Sequence, residues 1–513
     1  MNRSVAVIGA GPAGLNVARW LKREGFEPVL FEQGERIGGQ WTGDPRYSGV
    51  WPSMVTNTER LMSEFSDLAH ANDTPLYPSN QAMCAYLQCY AETFDLVART
   101  RLRTRVVALD RAAGGAWSVH SIGPDGVSRE ETFPFVVVAS GRFNRPSLPQ
   151  VPGLDTFSGS SGVAHTFSYR GAERYRDQRV FVGGCAVSAL EIASDLAMQG
   201  AARVVTGNRR QRYVLPKIAA GIPTGQLLHT RLAAFARESL TPDAVAAELK
   251  KLILRVGGGV EQYGGRKPDE NAMLAGLTQC QYYLSLVAEG KIAVSPWIAS
   301  IDGQTITFTD GHAEQFDGLI FGTGFDLHVP FLADSLRKTL AVDAQHIDLY
   351  DFTFSPALPG LAFAGLFQVA GPYLPPIEMQ GRWIAYAWSG ARPLPSRQEM
   401  EHEIGEYRVR RGQPQVSPMS MLMLRFARNA GVEPELSHWP DLAETLLFGP
   451  LSPASFRLSG RDALADAPAR IVAAANAHGP ISDERRKENL ALLRAVAAAR
   501  TDVSLGDVGT RLQ

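Results

Sequence analysis

The chain has 513 residues, which allows two or three domains of ordinary size and several large hydrophobic cores. Hydrophobic residues make up 45% of it and charged residues 20%, which is ordinary globular usage and excludes extensive disorder. The 51 basic and 52 acidic side chains leave a formal net charge of −1. Without a basic excess, the sequence carries no signature of a nucleic-acid partner or of an anionic membrane surface.

The 4 cysteines form neither a disulfide framework nor a paired metal-ligand spacing. They indicate a reducing compartment, and we expect no metal site. No unbroken apolar stretch approaches the ~18 residues of a membrane helix, and the N-terminal residues lack the apolar segment of a signal peptide. We therefore expect a cytoplasmic protein without a membrane partner, and the sequence leaves a homodimer open.

The N-terminal segment contains the parts of a dinucleotide-binding unit in their usual order. An apolar run over 5–8 predicts a buried parallel strand, and a second strand over 28–32 ends on the acid Glu32. A helical pattern lies between them, preceded by a glycine-rich turn of Gly9, Ala10, Gly11, Pro12, Ala13 and Gly14. This succession of strand, turn, helix, strand and acid predicts a dinucleotide site.

Each part of this unit has a physical reason. Gly9 permits a tight turn, Gly11 lets the backbone approach a pyrophosphate, and Gly14 allows helix and strand to pack closely. The free N–H groups at the helix N-terminus attract the phosphates. Glu32 can accept hydrogen bonds from both hydroxyls of the adenosine ribose.

A second and degraded unit lies further along the chain. A strand is predicted over 179–183, and a helical run follows it. The turn between them holds, where three glycines are usual, Gly184, Ala186 and Ala189. The next strand ends without an acid, and Arg209 and Arg210 follow it instead. Basic side chains at this position suit the 2′-phosphate of NADPH, so we expect NADPH rather than NADH.

We therefore expect an α/β protein with two Rossmann-like dinucleotide-binding domains. A Pro-rich stretch over 145–153 is typical of a linker, and a buried strand is predicted within 316–326. The boundaries that we predict are 1–152 for the first part of one domain and 153–315 for the second domain. The remainder, 316–513, then returns to the first domain, which is discontinuous, and adds a C-terminal helical extension.

Together these motifs resemble the flavin-containing monooxygenases over most of the chain. The first unit is similar to the family's FAD-binding unit, whose acid and GG-x-W segment are matched here by Glu32, Gly38, Gly39, Gln40 and Trp41. The stretch over 55–67 resembles the segment that carries the family's active-site asparagine, which is matched here by Asn57 after Thr56.

Three later motifs extend the resemblance. The second turn is similar to the family's NADPH-binding turn, with Gly184, Ser188 and Ala189 at the matching positions. Thr323 lies in a strand end that resembles the family's ATGY segment, and Gln380 lies in a stretch that resembles its ElQaRW segment. The resemblance implies that these residues take part in binding FAD or NADPH.

The resemblance also implies a reaction. In the family, NADPH reduces the flavin, O₂ adds to give a C4a-hydroperoxyflavin, and a soft nitrogen or sulfur nucleophile takes the distal oxygen. The flavin supplies the chemistry, while the protein orients it and excludes water. Asn57 is the implied catalytic side chain, because its amide can donate to the peroxide while it accepts from another group. The partners are then O₂ and a small-molecule substrate.

Two other flavoenzyme classes have to be weighed. A Baeyer–Villiger monooxygenase uses the same cofactors to attack a ketone, but its signature favours Trp where Tyr169 stands. A flavin disulfide reductase needs two cysteines beside the flavin, for which Cys84 and Cys89 would be the pair. Five positions on the helix predicted over 82–94 are about 140° around its axis, so those thiols diverge.

Overall fold

The computed structural model describes residues 2–413, 416–500 and 503–512. A parallel sheet near the N-terminus runs, in spatial order, through Leu361–Phe363, Phe135–Val138, Ser4–Ile8, Glu27–Phe31 and Thr100–Arg101. Val5 and Val7, on the central strand, are fully buried, because helices and loops cover both faces of such a sheet. The helix Pro12–Arg23 makes the first crossover, and its Pro12 is favourable at a helix start.

A second parallel sheet is built from the middle of the chain. Its strands, in spatial order, are Ile292–Ser295, Arg203–Gly207, Arg179–Gly183, Gly318–Phe321 and Gly162–His165. The helix Val187–Met198 begins four residues after the central strand Arg179–Gly183, as the first helix does in the other sheet. The predicted α/β class, with two Rossmann-like units, is confirmed.

The strand Gly318–Phe321 corrects the boundary that we expected after residue 315. It pairs in parallel with Arg179–Gly183 on one side and with Gly162–His165 on the other, so it belongs to the second sheet. All four of its residues are buried. An evenly apolar run predicts such a strand but does not reveal which sheet it joins. The chain returns to the first sheet only with Leu361–Phe363.

Smaller sheets flank the two main ones. Antiparallel sheets are formed by Arg105–Arg111, Trp117–Ile122 and Ser128–Phe133, and by Ile298–Asp302, Thr305–Phe308 and Ala313–Gln315. Two-stranded pairs join Tyr213–Leu215 to Leu277–Gln279, Ile218–Ala219 to Ile222–Pro223, and Gln368–Ala370 to Val416–Pro418. The last pair brings distant parts of the chain together beside the first sheet.

The helices not yet named cover the sheets and build the C-terminal part. They are Asn80–Thr93, Thr224–Leu228, Arg231–Ser239, Pro242–Gly257, Ala272–Ala275, Tyr283–Ala288, Asp334–Thr339, Leu374–Ser389, Arg397–Val409, Met419–Ala430, Ala443–Phe448, Ala467–Asn476, Asp483–Arg500 and Val503–Arg511. Leu374–Ser389 packs closely on Pro12–Arg23, since a Cβ on Gly381 would lie 2.3 Å from Oδ1 of Asn16. Among the described helices, none has the length and apolar character to cross a membrane.

Candidate active site

A cavity of about 1500 Å³ opens where strands of both sheets end. Its wall includes Gly9 and Glu32 from the first sheet and Ser188 and Arg210 from the second, each at or just beyond the carboxyl end of a strand. Ligands of open α/β sheets bind at this edge. The predicted residues on the cavity wall are Gly9, Gly11, Pro12, Ala13, Glu32, Gly39, Gln40, Trp41, Thr56, Asn57, Ser188 and Arg210.

The first turn is shaped by close backbone contacts. Gly9 has a φ of +109°, a conformation that side chains disfavour. A Cβ on Gly14 would lie 1.9 Å from the carbonyl oxygen of Gly9, so Gly14 allows strand and helix to meet without itself lining the cavity. A Cβ on Gly39 would lie 2.8 Å from Cα of Gly11. Gly11 and Gly39 therefore form a narrow backbone cradle at the cavity wall.

Glu32 is held in place by backbone donors. Its two carboxylate oxygens accept hydrogen bonds from the N–H of Ala10 at 2.9 Å and from the N–H of Gly34 at 2.7 Å. Burial raises the pKa of Glu32, and these two hydrogen bonds oppose that effect. Each carboxylate oxygen can accept more than one hydrogen bond, so capacity is left for a ligand hydroxyl on the cavity side.

Three buried polar atoms on the cavity wall lack a protein partner within the described chain: Oδ1 of Asn57, Oγ of Ser140 and Oδ1 of Asn144. Buried polar atoms in native proteins nearly always have a hydrogen-bond partner. We take these atoms as the places where a ligand completes the site. Together with the Gly11–Gly39 cradle, they fit a bound dinucleotide.

Asn57 sits in a segment that other elements hold from behind. The hydroxyl of Thr56 donates to the carbonyl oxygen of Thr58 at 2.8 Å. Nζ of Lys217, from a loop after the second sheet's turn, donates to the carbonyl oxygen of Thr56 at 3.3 Å. These contacts fix the backbone on both sides of Asn57, a residue that lines the cavity.

In the second turn, some of the predicted residues line the cavity and others pack the strand against the helix. Ser188 lines the cavity, and so does Ala186. Gly184 and Ala189 lie outside the wall: a Cβ on Gly184 would meet the carbonyl oxygen of Gly322 at 2.7 Å and Cβ of Ala189 at 3.3 Å. These two residues therefore serve the contact between strand and helix, and their part in binding the coenzyme stays a prediction.

Of the two predicted arginines, one lines the cavity and the other does not. Arg210 lines the cavity, whereas the guanidinium of Arg209 stacks over the ring of Trp297, 4.9 Å from its centroid, and lies outside the wall. Arg212, which we did not select from the sequence, does line the cavity. Burial lowers the pKa of Arg212, and the neighbouring charge of Arg210 adds to that effect. Its position two residues after the predicted pair was the available signal.

Thr323 and Gln380 lie outside the cavity wall, and their part in binding a cofactor stays a prediction. The hydroxyl of Thr323 donates to the carbonyl oxygen of Ser147 at 2.5 Å. Gln380 is fully buried on the helix Leu374–Ser389, and its Oε1 accepts a hydrogen bond from the N–H of Gly365 at 2.9 Å. Since Gly365 lines the cavity, Gln380 shapes the wall from one layer behind it.

Ser140 and Asn144 were missed by sequence reasoning. Both follow the strand Phe135–Val138, whose carboxyl end meets the same edge of the first sheet as the glycine turn. That shared edge could have identified them, although no motif marks them.

Nothing in the described chain supports a metal centre or a redox disulfide. Within residues 2–413, 416–500 and 503–512, no group of three or more His, Cys, Asp or Glu side chains is placed to hold a metal ion. Cys84 and Cys89 lie on the helix Asn80–Thr93, the first buried and the second exposed, and both thiols are free. The two thiols are not paired beside the cavity as a disulfide reductase requires.

Two solved structures with the same fold are oxygenases by name. The S-allyl-L-cysteine S-oxygenase from Allium sativum superposes with a TM-score of 0.60 at 23% identity, covering 100% of this chain and 98% of that one. An open structure of cyclohexanone monooxygenase superposes with a TM-score of 0.60 at 18% identity, covering 84% and 97%. At these identities the likeness concerns the fold.

Sequence relatives are more similar. The N-oxide-forming dimethylaniline monooxygenase 2 of Rattus norvegicus is 32% identical over 487 residues, which cover 90% of this chain and 89% of the rat protein. Flavin-containing monooxygenase 2 of Homo sapiens is 30% identical over 487 residues, with the same coverage of 90% and 89%. A family model described as flavin-binding monooxygenase-like matches residues 2–486. Since that match spans nearly the whole length, the chain belongs to the flavin-binding monooxygenase-like family.

Proposed function

We propose that this FAD-dependent monooxygenase oxygenates a soft nitrogen or sulfur atom of a small organic molecule. The observation that carries the proposal is the unpartnered Oδ1 of Asn57 on the wall of a cavity where two nucleotide turns converge. The reaction consumes NADPH, a proton, O₂ and the substrate, and it releases NADP⁺, water and the N- or S-oxygenated product. When bound, FAD supplies the chemistry with NADPH and O₂.

The first turn is the proposed FAD site. A pyrophosphate can lie against the Gly11–Gly39 cradle, because neither residue carries a side chain that would cover the backbone there. Glu32 accepts hydrogen bonds from the adenosine ribose hydroxyls on its free side. Gln40 and Trp41 close the wall, and the amide of Gln40 is fixed by donating to the carbonyl oxygen of Phe143 at 2.5 Å.

The second turn is the proposed NADPH site. Ser188 stands at the start of the helix Val187–Met198, where free N–H groups attract phosphate. Arg210 and Arg212 present two cations to the same cavity, which suits the extra phosphate of NADPH. In this assignment the FAD domain consists of 1–152 together with the chain after Phe321, and the NADPH domain lies between them.

Asn57 is the proposed catalytic residue. Its amide group can donate one hydrogen bond and accept another at the cavity wall, while Lys217 and Thr56 hold the backbone of the residues on either side of it. A fixed polar group in a site without bulk water stabilises developing charge more than the same group does in solvent. With FAD bound, Asn57 would hold the oxygen that the cofactor activates.

The name of a sequence relative favours heteroatom oxygenation over attack on a ketone. The rat relative, which is 32% identical, is named as an N-oxide-forming enzyme. Tyr169, where the Baeyer–Villiger signature has Trp, donates its hydroxyl to Oδ2 of Asp195 at 2.5 Å and is almost fully buried. That hydroxyl is committed to Asp195 on the helix Val187–Met198.

The test is a substrate panel of an amine, a thioether and a cyclic ketone, each supplied to the purified holoenzyme with NADPH and ¹⁸O₂. We expect an N-oxide or a sulfoxide that carries one labelled oxygen atom, and no lactone. A labelled lactone as the main product would replace this proposal with Baeyer–Villiger oxidation. NADPH consumption that yields only hydrogen peroxide with every class would overturn it.

We also propose that the protein acts in the cytoplasm. The four cysteines are all free thiols, three of them buried, as a reducing compartment allows. Fractionation of cells that express the protein tests the location, and sedimentation of the holoenzyme tests whether it forms a homodimer.

A further inference from the structure

One arginine of the cavity wall has no carboxylate partner within the described chain. Arg237 stands in the last turn of the helix Arg231–Ser239 and lines the cavity. Its Nη1 lies 3.1 Å from Sδ of Met273, which is only a weak acceptor. Burial lowers the pKa of Arg237, and no acidic neighbour offsets this effect. The guanidinium is therefore partly desolvated without a counter-charge.

Two other arginines on or beside this helix have carboxylate partners. Arg231 on the same helix is fully buried and pairs with Glu433 at 2.8 Å. Arg428 on the adjacent helix pairs with Glu433 at 2.5 Å and with Glu238 at 2.6 Å. Because a buried cation without a partner is costly, the nearby glutamates are expected to stabilise the arginines that serve the fold. Arg237 is left for an anion from outside the chain.

Arg237 and the proposed coenzyme arginines belong to different elements. Arg210 and Arg212 follow the strand Arg203–Gly207, whereas Arg237 stands on the helix Arg231–Ser239. The charge of Arg237 acts on His229, whose pKa falls to about 4, mainly through burial. His229 is therefore neutral near pH 7 and adds no charge of its own.

The surroundings of Arg237 are apolar. Met273 contacts Arg237, and the cavity wall also includes Leu228, Leu249 and Leu274. His229 connects Arg237 to the wall near the first sheet, because a Cβ on Gly371 would lie 2.7 Å from Nε2 of His229. A cation beside apolar side chains suits a ligand with an apolar stem and one anionic end.

We propose that Arg237 binds the carboxylate of the substrate, so that the enzyme prefers amines or thioethers with an apolar stem and a carboxylate at its far end. The proposal rests on the proposed oxygenation of nitrogen or sulfur. Guanidinium and carboxylate form charge-assisted hydrogen bonds, and their loss weakens binding by roughly 10- to 100-fold. A coenzyme phosphate is the other anion that could reach an arginine, and the experiment separates the two.

The experiment compares a thioether carboxylate with its primary amide as substrates of the holoenzyme. The parent enzyme is expected to have the higher kcat/KM for the carboxylate. In Arg237→Leu, the ratio of the two kcat/KM values should fall by about 10- to 100-fold, and Arg237→Lys should recover part of it. The matched control is Arg397→Leu, an exposed arginine paired with Glu401 on the helix Arg397–Val409. FAD content and Tm establish that each variant is folded.

A second readout does not depend on turnover. Titration calorimetry of the NADP⁺-loaded holoenzyme with pentanoate and with pentanamide should show tighter binding of the carboxylate, lost in Arg237→Leu. If neither an amine nor a thioether is oxygenated, the proposed function fails while this measurement still decides the role of Arg237. Equal affinity of the parent for both ligands would overturn the proposal. So would an effect of Arg237→Leu that appears in the KM for NADPH instead, since Arg237 would then bind the coenzyme.

Discussion

Nζ of Lys217 lies 3.3 Å from the carbonyl oxygen of Thr56 and 3.1 Å from Oε1 of Glu191. Thr56 directly precedes Asn57, and Glu191 belongs to the helix Val187–Met198 that begins at the second nucleotide turn. One buried ammonium group therefore joins the segment that carries Asn57 to the helix at the proposed coenzyme site.

Lys217→Met should destabilise the protein strongly. The Lys217 side chain is only 7% exposed and that of Glu191 18%, so the variant leaves a largely buried carboxylate without its cation. Breaking such a pair costs about 3–5 kcal/mol. Urea denaturation of the holoenzyme measures the change. Lys250→Met is the control, because the pair of Lys250 with Glu270 lies on the surface. Equal stability losses in the two variants would contradict the assignment.

Substitutions at two glycines of the first turn should have different effects on folding and on FAD binding. Gly14→Ala places a Cβ 1.9 Å from a backbone oxygen, so the variant should lose folded protein. In Gly11→Val the nearest atom to the new Cβ is Cα of Gly39 at 3.4 Å, which is tolerable, but the side chain fills the cradle. That variant should fold and be colourless. Visible absorbance and Tm distinguish the cases, and a Gly11→Val protein with one FAD per chain would refute the FAD assignment.

These glycines also show what the sequence reveals. Gly9, Gly11 and Glu32 act within one strand–helix–strand unit of fixed spacing, so local patterns suffice to place them. Gln380 depends on how a distant helix packs, and its contact with Gly365 has no local signature. The same holds for Arg237, which is distinctive only because the nearby glutamates face other arginines.

Arg210 should carry more of the coenzyme preference than Arg209. Arg210 lines the cavity, whereas Arg209 stacks on Trp297 outside it. Loss of a charge-assisted contact to the 2′-phosphate is worth roughly 1.5–3 kcal/mol, or about 10- to 150-fold. We expect Arg210→Ala to lower kcat/KM for NADPH by at least about tenfold, with NADH much less affected. An equal or larger effect of Arg209→Ala would show that the two roles are reversed.

Glu59 should make the protein less stable as pH rises. It is 1% exposed, and its Oε1 has no partner in the described part of the chain. Burial raises the pKa of Glu59 from 4.5 to about 7. Below pH 4.5 the Glu59 carboxyl is protonated in both the folded and the unfolded chain. Between pH 4.5 and 7 it ionises only in the unfolded chain, which favours unfolding. Above that window the cost is about 3 kcal/mol.

The variant Glu59→Gln removes this titration. The difference in free energy of unfolding between this variant and the parent should change by about 3 kcal/mol, in favour of the variant, as the pH rises from about 4 to about 8. Denaturant titrations at both pH values measure the difference, with Glu92→Gln, an exposed residue of the helix Asn80–Thr93, as the control. A constant difference between Glu59→Gln and the parent across this range would show that Glu59 is ionised in the folded protein.

The most direct test of the account measures hydrogen peroxide and oxygenated product per NADPH consumed in Asn57→Ala. The parent and the control Asn72→Ala, an exposed residue, should convert most NADPH into product. Asn57→Ala should bind FAD and consume NADPH but release mainly hydrogen peroxide, because a lost hydrogen bond of ~1–3 kcal/mol no longer retains the reactive oxygen. If Asn57→Ala forms as much product per NADPH as the parent, Asn57 is not the catalytic residue.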